Sequence, residues 1–224
     1  MCGRYTLTSN LNDLQGRFGF EAGDLVQPPR YNIAPSQSVL AVVNQGRLQA
    51  EFMRWGLIPY WAKDASIGAR MINARAETVA ERPAFREALQ RRRCLILADG
   101  FYEWRREGDR KTPVYVALKS REPFGMAGLW EVWKAPSGEL VRSCAIVTTT
   151  PNRLMTPIHS RMPVILARGC EATWLDRNVE AFGLLAKLLV PYPAEEMDAY
   201  QVSALVNSQK NDIPECLIPV AALG

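Results

Sequence analysis

The amino-acid sequence predicts an α+β fold, a single domain over residues 1–224 built mainly on an antiparallel or mixed barrel-like β-sheet with peripheral helices. Three observations predict it. Five β-branched or aromatic runs, at 94–104, 113–119, 125–133, 144–150 and 162–167, succeed one another with turn-like stretches between them. Helical periodicity is confined to short segments before and after these runs. No internal repeat, long linker or shift of composition divides the chain. With 48% hydrophobic and 22% charged residues in 224, fibrous, low-complexity and disordered classes are excluded, and the core is large enough to stand without disulfide staples.

Taken in order, Ser9 or Asn10 caps a short helix whose Leu11, Leu14 and Phe18 share one face at i, i+3 and i+7, with Gly19 and Gly23 marking its end. Residues 38–44 and 48–56 flank the turn signal NQGR and form a hairpin whose second arm alternates with period 2. A helix is expected from about Pro83 to Arg93, with Phe85 and Leu89 inward. Arg91, Arg92 and Arg93 then sit at its negative C-terminal end on a solvated face, DNA contact being their alternative use. The stretch WRREGDRK at 104–111 is expected as a charged hairpin turn. Residues 171–175 and 179–189 are expected as a late helical pair, 199–203 as extended, and the tail 211–219 as irregular.

Composition narrows the function. Cys2, Cys94, Cys144, Cys170 and Cys216 are odd in number, far apart and without a CxxC pair, which fits neither a disulfide framework nor a zinc knuckle. His159 is the one histidine, so no metal site and no cofactor are expected. The start has no apolar signal region and the greasiest stretch, FGLLAKLLV, is short and holds Lys187, so the expectation is a cytoplasmic, nucleoid-associated protein with no membrane partner. A formal net charge of +4 leans mildly toward anionic partners. The 27 basic residues include only six lysines, and the arginine fork suits phosphate, although a preference for Arg codons accounts for the bias equally well.

Cys2 follows the initiator Met, and loss of Met1 leaves a 1,2-aminothiol. With reference pKa values of about 8 for the amine and about 8.5 for the thiol, both groups have a usable nucleophilic fraction at neutral pH. An aldehyde meeting the pair forms an imine and then a five-membered thiazolidine ring, whereas an amide is attacked by sulfur with the amine as local base. A cysteine at position 2 is by itself ordinary. It gains meaning from MCGRY at the start, RYNIAP at 30–35, RWGLIPYW at 54–61, INARAET at 72–78, CLILADGFYEW at 94–104, IHSRMP at 158–163 and VNSQKNDIPEC at 206–216.

Together and in this order, these motifs resemble the SOS response-associated peptidase family over nearly the whole chain. The resemblance implies a single-domain sensor of abasic sites in single-stranded DNA that traps the opened sugar aldehyde as a thiazolidine on its processed N-terminal cysteine, with thiol autopeptidase character in the removal of Met1. Carried onto this sequence, it makes Cys2 the crosslinking nucleophile and puts Asn73, Glu103 and His159 beside it as catalytic residues. Asn73 offers amide groups to orient the amine or a sugar hydroxyl. Glu103 ends an apolar run, where partial burial raises a carboxyl's pKa and suits it to moving protons. His159 serves to polarise or protonate the sugar oxygen. Each has a plainer use: a turn asparagine, a strand-end carboxylate paired with Arg105 or Arg106, and a hydrogen-bonded loop histidine.

For the DNA, Arg4, Asn32, Trp61, Arg75, Thr148 and Arg161 are the expected contacts, arginines on phosphates and Trp61 or Trp55 as a stacking face. Core packing of the tryptophans and surface ion pairs of the arginines are the competing assignments. The partner expected is single-stranded DNA containing abasic sites, bound by a monomer; protein partners at a replication fork are left open. Three rival functions share parts of the pattern. A glutamine amidotransferase-like N-terminal nucleophile amidohydrolase also begins Met-Cys-Gly, a non-covalent single-stranded nucleic-acid-binding module needs only the basic groove, and a conventional cysteine peptidase needs only a reactive thiol.

Overall fold

The computed structural model describes residues 2–220. Its strands are β1 (Arg4–Leu7), β2 (Arg30–Ile33), β3 (Ser38–Asn44), β4 (Leu48–Trp55), β5 (Asn73–Arg75), β6 (Arg93–Ala98), β7 (Gly100–Glu107), β8 (Arg110–Leu118), β9 (Phe124–Lys134), β10 (Leu140–Thr149), β11 (Met162–Pro163) and β12 (Met197–Gln201). Helices α1 (Leu11–Phe18), α2 (Pro83–Arg91), α3 (Cys170–Leu175) and α4 (Phe182–Ala186) lie between them.

Five strands close a barrel in the order β10-β4-β3-β6-β9 and back to β10. All its pairings are antiparallel except the parallel β4–β10 contact. Closure removes the exposed edges that an open sheet leaves unpaired. A second, antiparallel sheet of order β12-β8-β7-β1-β2 carries the N-terminal strand in its interior. The α+β, single-domain, barrel-like architecture expected from sequence is the one observed.

The elements form where the residue chemistry asks for them. Asn10 Oδ1 accepts from Asp13 N–H at 3.0 Å to start α1, and Gly19, left-handed at φ 68°, ends it by bonding back to Gln15 O at 2.8 Å. The β3–β4 hairpin pairs Ser38 with Arg54 through Asn44 with Leu48, around Gly46 at φ 98°. The charged stretch 104–111 is the tip of the β7–β8 hairpin, pairing Glu107 with Arg110.

Four expectations need correction. The run 94–104 is two strands in different sheets, because Asp99 turns the chain out of the barrel: its carboxylate accepts from the Thr8 and Ser9 N–H groups and hydroxyls. Gly100 then makes room for the Tyr115 ring, whose hydroxyl a Cβ there would run into. The run 162–167 is ladder only at β11. From there it changes partners, Val164 N–H bonding Val147 O on β10 and Leu166 N–H bonding Gly125 O on β9, so it wedges into the gap where those strands part. Helix α2 stops at Arg91, and Arg93 is not on a solvated face. It opens β6, buried, with Nη1 donating to Leu89 O and Gln90 O and Nε to Trp174 O, so it caps the helix from inside. The second late helix is only α4, shorter than 179–189.

Chain exit from the barrel is what makes room for the site. At Gly56, φ 130°, the backbone leaves β10; a Cβ there lies 2.7 Å from Gly68 O. The vacated edge of β10 is taken up by β5, which pairs Asn73 with Ile146 and Arg75 with Thr148. That brings β5 and the end of β10 to the place where the second sheet delivers the N-terminal strand.

Candidate active site

Cys2 stands two residues before β1 and is fully buried. Burial pushes its thiol well above the usual cysteine range, and the Glu103 charge pushes the same way. Asn73 Nδ2 donates to the Cys2 carbonyl at 2.9 Å, tying β5 to the N-terminal segment. Its Oδ1 is buried and has no hydrogen-bond partner among the described residues. An acceptor left in that state costs about 1–3 kcal/mol and suits a donor that arrives with a ligand.

Glu103 lies on β7, one position past the Arg4–Tyr102 pair, and is therefore opposite Gly3 on the same ladder. Its side chain is 3% exposed, and burial raises its pKa to about 7. At neutral pH it is thus divided between acid and base forms, which is what moving a proton in either direction requires. His159 comes from the loop joining β10 to β11. Its Nε2 is 3.9 Å from Glu103 Oε2, its side chain is 27% exposed, and burial lowers its pKa, so the ring is neutral at pH 7. Four segments remote in sequence therefore meet at one point.

The expected DNA contacts divide into two groups. Arg75 is exposed on β5, and Thr148 and Arg161 lie beside it. Thr148 is fully buried, its hydroxyl donating to Ala74 O at 3.4 Å. Arg161 forks onto Glu77 at 2.6 and 2.9 Å and also donates to Thr148 O at 2.6 Å. Trp61 is 49% exposed next to exposed Tyr60, whereas Trp55 is core, its Nε1 donating to Ile72 O at 2.9 Å.

Arg4 and Asn32 are elsewhere. Both are buried and bonded to each other at 2.8 Å. Arg4 also donates to Val206 O at 2.8 Å, and Asn32 Nδ2 to Ser208 O and Asn211 O at 3.0 and 2.8 Å. They clamp the strap 203–217 across β2, β1 and β7, so any effect on a ligand passes through the shape of that strap. Two participants lie inside the sequence motifs but have no expected role there: Glu77, partner of a residue 84 positions away, and Asn207, whose Oδ1 accepts from Trp104 Nε1 at 2.7 Å.

This constellation, a buried N-terminal-segment cysteine with an amide, a half-titrated carboxyl and a neutral imidazole on a closed mixed barrel, defines a class rather than a lone arrangement. The chain belongs to the SOS response associated peptidase (SRAP) family, which it matches over residues 1–209. It is 49% identical over 223 residues to "Abasic site processing protein YoaM" of Bacillus subtilis, with 97% of each chain covered. It is 32% identical to "Abasic site processing protein HMCES" of Mus musculus, covering 87% of this chain and 66% of that one. A crystal structure of a protein from Bacteroides thetaiotaomicron superposes with a TM-score of 0.90 at 28% identity, over 98% of this chain and 100% of the other. No described helix is long and apolar enough to cross a membrane.

Proposed function

We propose that this protein processes abasic sites in single-stranded DNA by covalent capture on Cys2, after Met1 has been removed. The names of its relatives support abasic-site processing. The observation that supports capture at Cys2 is the convergence of Asn73 on the Cys2 carbonyl beside the Glu103 and His159 pair.

The chemistry balances without a cofactor. The Cys2 α-amine attacks the aldehyde of the ring-opened sugar, a C–N bond forms, and one water leaves to give the imine. The Cys2 sulfur then adds to the imine carbon while its proton passes to nitrogen, closing the thiazolidine. Glu103 in its acid form donates to the departing oxygen and in its base form receives the thiol proton. His159 donates to the sugar oxygen, and Asn73 holds the Cys2 backbone in line. Met1 leaves either by attack of the Cys2 thiol on the Met1 carbonyl, which breaks the peptide bond and leaves a thioester that one water hydrolyses to free methionine and thiol, or through a separate aminopeptidase, and both routes give the same terminus. Arg75 grips phosphate, with Thr148 and Arg161 at its side, and Trp61 stacks a base. Arg4 and Asn32 serve the same groove by holding its 203–217 wall.

The test is incubation with a single-stranded oligonucleotide carrying one abasic site, followed by a denaturing gel and intact mass. The expected product is an adduct of protein lacking Met1 plus DNA less one water. Retained Met1 in crosslinking material, or binding without any adduct, overturns the proposal; the second outcome points to a non-covalent module.

A further inference from the structure

His159 is held so that one residue, Arg161, offers its Nδ1 both a backbone donor and a backbone acceptor. Its backbone N–H bonds Met155 O at 2.8 Å, which fixes the loop. Its Nδ1 lies 3.0 Å from the Arg161 N–H, which donates to it, while Nε2 faces Glu103. A ring nitrogen that accepts a hydrogen bond carries no proton, so when Nδ1 takes the shorter contact, from the Arg161 N–H, the neutral ring bears its hydrogen on Nε2, toward the site. The Arg161 carbonyl lies 3.2 Å from the same Nδ1. A small rotation of the 161–162 peptide therefore suffices to turn that acceptor onto Nδ1 in place of the Arg161 N–H donor, reversing the tautomer.

What holds that peptide is the Arg161 side chain. Its guanidinium makes a two-pronged ion pair with Glu77, just past β5, and its Nη2 also reaches Thr148 O. The Thr148 carbonyl in turn accepts Ala76 N–H at 2.9 Å. One end of Arg161 is thus bolted to the β5–β10 edge, and its other end presents a backbone donor to the imidazole. The two-pronged geometry fixes the plane of the guanidinium as a single contact does not. The Arg161 hydrogen bond keeps the Glu77 carboxyl below its ordinary range, so the pair is ionised at neutral pH. Among the described residues, the other charged groups that bear on the ring are Glu103 and Arg106, both on β7.

We infer that Glu77 is a positioning residue: through Arg161 it sets the His159 tautomer with the proton on Nε2, where the proposed capture reaction needs a donor. The inference rests on the role given to His159 above, but its principal readout does not require any crosslinking.

Because His159 is the one histidine of the chain, nitrogen NMR of histidine-labelled protein reads its tautomer without assignment. At pH 8 the unsubstituted protein is expected to show a protonated Nε2 and a bare Nδ1. Glu77→Ala is expected to give a mixture of both tautomers and to slow single-turnover crosslinking at saturating protein about threefold to tenfold. Glu77→Asp, which keeps the carboxylate, is expected to restore most of the Nε2 form and of the rate. A protonated Nδ1 in the unsubstituted protein overturns the inference and leaves the capture reaction standing. A Glu77→Ala variant that is folded by circular dichroism and keeps the original tautomer and rate overturns it as well. Failure of the unsubstituted protein to crosslink, with the Nε2 tautomer and its dependence on Glu77 intact, removes the capture reaction and leaves the positioning role.

Discussion

The barrel interior and the candidate site each hold fully buried cysteines, and the contrast between them is instructive. Cys144, on β10, and Cys94, on β6, are as inaccessible as Cys2, and burial raises all three thiols. By burial and acidity alone they are equivalent. They differ in neighbours: desolvation is the whole cause at Cys144, at Cys94 it is followed by Cys144 itself and only then by Glu51, whereas at Cys2 the next contributor is Glu103, with Asn73 on its carbonyl. A buried thiol is inert unless a group beside it can take its proton. Of these three, only Cys2 can become a chain terminus with an amine on the same residue.

The sharpest way to break this comparison is to exchange the cysteines. Cys2→Ala is expected to abolish the stable adduct on a denaturing gel, leaving at most an imine that borohydride traps through the surviving amine. Cys94→Ala and Cys144→Ala are expected to keep the adduct and to lose only stability, by about 1 kcal/mol each in urea titrations. Loss of the adduct in Cys144→Ala at full fold content erases the distinction.

Next in size is Glu103→Gln, expected to slow single-turnover capture about 10²-fold or more while DNA affinity is held. Its pH dependence has a definite sign. As the acid of the water-losing step, Glu103 works below its pKa of about 7, so the rate falls as pH rises through 7, and this alkaline limb should vanish in the variant. Stability follows the same titration. A carboxyl raised on folding binds more protons in the native state, so its contribution is lost as pH climbs from the unfolded value near 4.5 to about 7. Over that window the melting temperature of the unsubstituted protein should drop relative to Glu103→Gln.

His159→Ala is expected to slow capture by roughly 10²-fold with little change in affinity. Asn73→Ala removes one orienting hydrogen bond, worth about 1 kcal/mol, and should slow capture several-fold. The smallest effect is that of Arg75→Ala, which is expected to reduce the salt slope of single-strand binding by about 0.7 for the one phosphate it no longer neutralises, on damaged and intact strands alike. An unchanged slope assigns Arg75 to structure.

Much of the fold was legible because its signals are local. The cap and the left-handed glycine of α1, the NQGR hairpin and the β-branched and aromatic runs of the barrel strands all lie within a few residues of what they specify. Arg93 shows the limit: a third arginine in a row reads as solvated, yet it is buried because the carbonyls of α2 and of Trp174 converge on it. Asn32 and Trp55 likewise take their hydrogen-bond partners from segments outside their own motifs, so their burial is not readable from those motifs alone.

The sequence by itself determined the β-rich class, the boundaries of the hairpins and the presence of a cysteine that Met removal turns into an aminothiol. Through its ordered motifs it also named Cys2, Asn73, Glu103 and His159. Tertiary structure alone decided that β4 leaves β10 at Gly56 so that β5 can carry Asn73 to the Cys2 carbonyl. It decided too that Glu103 is buried enough to titrate near 7 and that Glu77 reaches Arg161. The physical reason is range: caps, turns and alternation are set by neighbours along the chain, whereas burial, pKa and ion pairing are set by neighbours in space, which closure of the barrel supplies.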